Sequence, residues 1–495
     1  MSDTKFANMD NFCLEGEASI IAADVENIIN AYVNTGLHLN PAKCEITARN
    51  FDCIRDIQTF SAFKKVEIAD LVMLGAPVMK GRAVDSALES KVCDLERAIS
   101  RLKLLPAHDA LVLLRNSLAM PKLLYTLRTS PCAGNPLLTN FDETLRNGLS
   151  AILNVHLSDD QWIQASLPVQ HGGLGLRSAC MLAPSAFLAS AAATLDLQNS
   201  ILPSPFHQLS DHYGREALDI WSKSANIPEP VNPANKIQKV WDAAITSASY
   251  RSLLTRSGSE TDTARLLAAS APHSGDWLQA PPITAIGLRL TDEMIRVAVG
   301  FRLGANTCEP HECVCGSMVD ARGLHGLCCK KSAPRHQRHS HMNDIIWRAV
   351  KRAQIPVVKE PIGLSMDGKR PDGATLIPWS RGKPLAWDVT VPDTFAQSHL
   401  HNSAIQSCAA ADTAADNKVT KYAHLATTHI FVPIAVETGG SWNAQAIEFV
   451  QDLGRRISEV TNEPLETQFL FQRLSMAVQR GNAIAYKSTF PADNF

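Results

Sequence analysis

Two aspartates and one crowd of cysteines and histidines are the residues in this 495-residue chain whose types and spacing suit chemistry. Asp388 lies in the alternating run Leu385 to Val391, where a period of two sends Trp387, Val389 and Val391 to one face of a strand and Ala386, Asp388 and Thr390 to the other. Asp372 follows Arg370-Pro371 and opens a second extended run, Gly373 to Ile377. The segment between them, Pro378 to Pro384, is rich in turn residues, so the two runs can pair antiparallel. Two carboxylates on neighbouring strands then come within reach of one hard cation; the plainer reading is two turn or strand-end aspartates with no ligand. Cys308, His311, Cys313, Cys315, His325, Cys328 and Cys329 fall within 22 positions, a density that zinc usually explains and that a set of buried reduced thiols explains less well.

The elements that must carry these residues follow from pattern. Arg338 to Ala353 reads as an amphipathic helix with Met342, Ile345, Ile346, Ala349 and Val350 on one side. Val357 to Glu360 is a short strand, then come the two runs of the hairpin. Ala409 to Leu425 is a second helix with Lys418 and Lys421 one turn apart, and Ile430 to Thr438 is a buried strand. Phe469 to Ala483, with Arg473, Gln479 and Arg480, is an amphipathic helix that packs on this region. Toward the N-terminus, Glu15 to Tyr32 is helical, Gly36 ends that helix, and Leu37 to Leu39 starts an extended run. Leu71 to Val78 reads as a strand ending at Pro77, and Glu89 to Leu127 as helices broken at Pro106 and Pro121. Residues 180 to 290 are an Ala-rich helical spacer interrupted by prolines.

Length suits about three domains. The composition, 45% hydrophobic and 19% charged, is that of a soluble globular protein, and a net charge of −2 does not mark a nucleic-acid binder globally. Locally, Ala321 to Lys351 holds seven Lys or Arg, four His and a single acid, Asp344, which is either a basic binding patch or a solvated helix face. MSDTKFANMDNF lacks a basic stretch followed by an apolar core, so no signal peptide is expected. The longest uncharged run, Ser178 to Leu195, carries Pro184 and suits a buried helix pair better than a bilayer span. Twelve cysteines without a secretory signal point to a reducing, intracellular compartment and to metal ligation in place of disulfides.

Gly36 to Ile46, GLHLNPAKCEI after a helix, resembles the end of the palm of non-long-terminal-repeat retrotransposon reverse transcriptases, where a pair of aspartates binds the catalytic metals. Here the matching turn is Asn8-Met9-Asp10-Asn11, so only Asp10 matches and Asn11 replaces the second carboxylate. A neutral amide cannot replace a charged ligand in a two-metal site, so the resemblance implies a truncated, inactive polymerase remnant. Leu71 to Val78 resembles the segment near the primer grip, the helices after it the thumb, and GGLGLRSA at Gly172 to Ala179 a segment that follows the thumb. Cys313-Val314-Cys315-Gly316, with His325 and Cys329 beyond, resembles the C-C-H-C zinc knuckle of site-specific elements of that group. One residue between Cys313 and Cys315 is tight for two ligands of one tetrahedron, so His311 or Cys308 stand as alternatives to Cys313.

The order helix, three strands, helix, strand resembles the PD-(D/E)XK nuclease core, with RPDG and WDVTV supplying its two acidic positions. That resemblance implies Mg²⁺ on Asp372 and Asp388, with Glu360 as a candidate third carboxylate, and a lysine to position the attacking hydroxide. Thr390 occupies the usual lysine position; in retrotransposon endonucleases the lysine sits on the following helix, which points to Lys418 or Lys421. Arg335, Arg338, His339 and Arg370 would contact nucleic-acid phosphates. The expected fold class is multidomain α+β: palm remnant 1–78, helical thumb 79–165, helical spacer 166–290, zinc knuckle 291–335, and a restriction-like endonuclease domain with C-terminal helices 336–495. The resemblance implies a transposable-element protein that nicks DNA with Mg²⁺, uses zinc structurally, partners DNA and element RNA, and works in the nucleus. The competing expectation is a non-catalytic zinc-knuckle remnant that binds DNA or RNA.

Overall fold

Residues 4–8, 11–201, 212–227, 235–329, 331, 334–364 and 370–491 are described by a computed structural model. The chain is mixed α and β, mostly helical with small sheets, and divides into two units: Met1–Asp94 with Pro121–Asp142 and Ala179–Ile245, and Leu95–Met120 with Glu143–Ser178 and Thr246–Phe495.

In the first unit a helix at Ala18–Val33 ends where Gly36 turns left-handed at φ +79° and donates its N–H to Val33 O. The extended run expected at Leu37 to Leu39 joins no sheet. Asn40 instead accepts from the Ala42 N–H through its side chain, and Pro41 opens a 3₁₀ turn at Pro41–Lys43; the pairing lies further on, Glu45–Ile46 parallel to Lys64–Lys65. Leu71 to Val78 is not one strand but a small hairpin, Val72–Met73 against Ala76–Pro77, because Leu74 and Gly75 both adopt positive φ (+50° and +78°). Ala179–Ile201 forms one helix in place of the expected pair. Pro184 deletes a single ladder hydrogen bond without ending it, and its neighbours Ala183, Ser185 and Ala186 are all fully buried. Among the described residues this is the one helix long and apolar enough to cross a membrane, with 39% of its apolar window buried. Asp10 lies outside the described residues.

The second unit contains the hairpin. Its central sheet has four strands, β1 (Val357–Lys359), β2 (Gly373–Thr375), β3 (Leu385–Thr390) and β4 (Ile430–Ala435), in the spatial order β4-β3-β2-β1. β1 and β3 run antiparallel to β2, whereas β4 runs parallel to β3. A parallel neighbour needs a crossover, and helix α2 (Ala409–Lys421) lies in it, after helix α1 (Pro334–Arg352) has preceded the sheet. Alternation along β3 decides what covers each face. Trp387 and Val389 enter a core with Met342, Ile346 and Val350 of α1, Ile434 of β4, and the apolar stripes of α3 (Ala444–Thr461) and α4 (Glu466–Lys487). Ala386, on the other face, packs with Ala374, Tyr422 and Leu425. Small side chains let α2 approach that face closely: Ala411 and Ala415 meet Ala435. β2 stops at Thr375 because its hydroxyl takes the Leu385 N–H at 2.9 Å and donates to Ile377 O, displacing the next ladder bonds.

Candidate functional site

Asp372 stands directly before β2 and is fixed by backbone on both sides. Its N–H donates to Trp387 O at 2.9 Å, and its C=O accepts from the Glu360 N–H at 3.1 Å. The next residue must be small: a Cβ on Gly373 would lie 2.1 Å from the Trp387 indole. Asp372 Oδ2 accepts from the Val389 N–H at 2.6 Å and lies 2.9 Å from His339 Nε2 of α1. One turn on, Asn343 donates to Asp372 O at 3.3 Å and accepts from Trp387 Nε1 at 3.0 Å, which ties α1 to both strands of the hairpin.

Asp388 is 3% exposed in the middle of β3. Tyr422, just past α2, donates its hydroxyl to Asp388 Oδ2 at 2.8 Å, and the same hydroxyl lies 2.7 Å from Arg370 O. Lys418 Nζ stands 2.5 Å from Asp388 Oδ1. This ion pair supplies the partner of the buried Oδ1, as Tyr422 supplies that of Oδ2. His339, Asp372 and Asp388 offer ligand atoms that all lie within 4.8 Å of one another. The hydrogen bond to Asp372 raises the His339 pKa above its ordinary value, and the Asp372 and Asp388 charges add to this against burial and the Lys418 ammonium. Two carboxylates that close to one another fit a divalent cation, and an imidazole nitrogen as a third ligand would suit Mn²⁺ or Zn²⁺ better than Mg²⁺.

The expected site residues divide accordingly. Asp372, Asp388 and Lys418 come together. Lys421 does not reach a carboxylate: its ammonium donates to the Tyr422 hydroxyl at 2.9 Å. Glu360 is exposed at the end of β1, with φ +46°, and is not among the clustered ligands. His339, expected on phosphates, is instead drawn to Asp372. Arg338 is corrected more sharply. It is 2% exposed and donates to Asn482 Oδ1 at 2.7 Å, and α4 comes so close that a Cβ on Gly481 would lie 2.7 Å from the arginine Cγ. A guanidinium buried this way braces two helices and cannot grip a phosphate. Arg370 is exposed beside the site, while the Arg335 side chain lies outside the described residues. Tyr422 and Asn343 escaped sequence reading. Tyr422 follows Lys418 by four positions, so helical spacing already placed them on one face.

The thiol cluster is separate and local. Cys313 precedes the turn of a small hairpin, His311–Glu312 against Met318–Val319, and Cys315 lies within that turn; His325 and Cys329 flank one helical turn, His325–Cys328. Cys313 Sγ lies 3.8 Å from Cys329 Sγ, Cys315 Sγ lies 3.2 Å from His325 Nε2, and all four ligand atoms fall within 4.8 Å of one another. Burial pushes the Cys313 thiol up to about 11, whereas hydrogen bonds from Ser317 draw Cys315 down to about 6. A three-sulfur, one-nitrogen cluster with Cys313 and Cys329 buried can hold a zinc ion. The two alternative ligands stand elsewhere. His311 stacks on Phe490 at 4.1 Å and bonds the Thr489 hydroxyl at 2.9 Å, and Cys308 Sγ faces the carbonyls of Asp320 and Ala321. No protein-family model matches the chain, and no curated protein matches it, so the chemistry of both clusters rests on their own geometry.

Proposed function

We propose that the second unit is a divalent-cation-dependent DNA endonuclease of the PD-(D/E)XK type, carried by a retrotransposon-derived chain whose polymerase region is inactive. One observation carries the reading: Asp372, Asp388 and His339 converge within 4.8 Å with the Lys418 ammonium beside them, on a sheet with strand order β4-β3-β2-β1 between α1 and α2. Asp372 and Asp388 would hold Mg²⁺ or Mn²⁺, with His339 kept on Asp372 as a hydrogen-bond donor. A bound cation would lower the pKa of its water and neutralise charge developing on the scissile phosphate.

The chain's own groups do the rest. Val389 N–H and His339 fix one carboxylate, and Tyr422 orients the other. Lys418 stands where it can donate to an attacking water or to a non-bridging phosphate oxygen. Tyr422 takes a hydrogen bond from Lys421, which strengthens the phenol as a donor to Asp388. The Cys313, Cys315, His325 and Cys329 site, filled by zinc, holds the segment that leads into α1 and takes no part in cleavage. Nicking of supercoiled plasmid with Mg²⁺ or Mn²⁺ tests the proposal. Wild type converts plasmid to open circles and Asp388→Ala does not; equal conversion by both overturns it.

A further inference from the structure

Trp347 on α1 carries two ammonium groups on one indole. Lys351 Nζ lies 3.9 Å from the ring centroid and Lys359 Nζ, from β1, lies 4.6 Å from it. Each contact alone is an ordinary cation–π pair. Together they hold two like charges on one small aromatic, an arrangement whose mutual repulsion an anion relieves. A third cation adjoins them: Arg348, 74% exposed, shares the Asp344 carboxylate with Lys359, at 2.6 Å and 2.7 Å. Three cations against one acid leave this surface positive, and Asp344 is the single acid of the basic segment around α1. The indole acts as a brace that removes the freedom long lysine side chains otherwise lose on binding.

The placement of these groups relates them to the carboxylate site. Lys359 pairs in register with Gly373, the residue after Asp372, and Asn343, next to Asp344, bonds Asp372 O. Both ammoniums rest on Trp347, which follows His339 on the same helix by eight residues, about 12 Å along its axis. At 3.4 Å per base step, that is about three to four base pairs of duplex. Both ring-bound lysines are exposed.

We propose that Lys351, Lys359 and Arg348, braced by Trp347, form a phosphate-binding strip for duplex DNA about three to four base pairs to one side of the scissile phosphate. This rests on the endonuclease reading for its substrate and deepens it by naming where the flanking duplex is held. The indole is engaged by two ammoniums, so the strip reads backbone phosphates and not stacked bases.

The test is equilibrium binding of the full chain to a fluorescent 20-base-pair duplex in Ca²⁺ across a salt series, which separates binding from cleavage. Lys351→Ala with Lys359→Ala lowers the slope of log affinity against log salt by about 2, at roughly 0.9 per lost phosphate contact. Trp347→Ala weakens binding severalfold although no charge is removed, and Trp347→Phe restores it. An unchanged slope in the double variant, with its melting temperature intact, overturns the strip. Tighter wild-type binding of single-stranded RNA than of the duplex, abolished by the same double variant, overturns the duplex assignment. A wild type that binds with the full slope, loses it in the double variant and never nicks plasmid supports the strip while overturning the endonuclease reading.

Discussion

The two ligand clusters of the second unit are built on opposite plans. Cys313, Cys315, His325 and Cys329 come from one short segment, a hairpin and a helical turn, and donate soft sulfur with one nitrogen. Two of the four are buried, and each ligand atom already lies close to another of the set. His339, Asp372 and Asp388 come from α1, the start of β2 and the middle of β3, and their neighbours Lys418 and Tyr422 come from the far end of α2. The first plan needs the metal to hold its own loops together, since a hairpin of two-residue strands contributes little by itself. The second is held in place by a folded sheet whether or not a cation is bound, and it leaves an ammonium beside the carboxylates. A closed local site suits structure, whereas a preorganised site gathered from distant elements suits reaction.

The sharpest way to break that contrast is to remove one ligand from each. Asp388→Ala lowers the single-turnover nicking rate by about a thousandfold while leaving one zinc per chain by elemental analysis. Lys418→Ala falls nearly as far, because its ammonium meets Asp388 directly at 2.5 Å whereas that of Lys421 stands behind Tyr422. Cys329→Ala does the reverse: zinc is lost, and the melting temperature drops by roughly 10 °C or more because the metal's binding free energy contributes to folding. A Cys329→Ala protein that melts like wild type, or an Asp388→Ala protein that loses zinc, removes the distinction between the two sites.

The same contrast explains what could be read from the chain. The thiol cluster was legible because its ligands are neighbours in sequence, and only the choice among Cys308, His311 and Cys313 needed coordinates. Asp372 and Asp388 were legible as a facing pair because period-two alternation in β3 fixes which side Asp388 takes, and Pro378 to Pro384 forces a return. The surroundings of that pair were not. Arg338 looked like a surface cation, yet its partner Asn482 lies 144 residues further on, and nothing local announces that Gly481 lets α4 close over it. His339 read as part of a basic patch until α1 was laid against β2. Leu74 adopts a left-handed turn that no local rule assigns to leucine.

A middle-sized effect probes how α2 serves the carboxylate site. Tyr422→Phe removes one hydrogen bond to a charged oxygen, and cleavage at limiting cation slows by about tenfold. The loss shrinks at saturating Mn²⁺, since the phenol orients Asp388 and does not react. Lys421→Ala acts through that phenol and slows cleavage only severalfold. A Lys421 variant more damaged than the Lys418 variant reverses the assignment of roles drawn from their distances.

The smallest effect concerns the other end of α2. Glu437, fully buried past the end of β4, accepts from the Ala411 N–H at 3.0 Å and the Thr394 hydroxyl at 2.9 Å, so a carboxylate caps the first turn of the helix that carries Lys418. Burial raises its pKa above the ordinary 4.5, against the hydrogen bonds from Ala411, Ser441 and Thr394 that favour its charge. A native pKa above the unfolded one means that the native state keeps a proton the unfolded chain releases. The associated stability is therefore whole below about pH 4.5 and is lost as pH climbs through the raised native value. Glu437→Gln cannot titrate, so its melting temperature follows a flatter course over that window. Wild type should lead the variant most at the acid end, and the lead should shrink toward neutrality. Two parallel curves would mean that Glu437 titrates as it does in the unfolded chain, its hydrogen bonds from Ala411, Ser441 and Thr394 fully offsetting the cost of burying its charge.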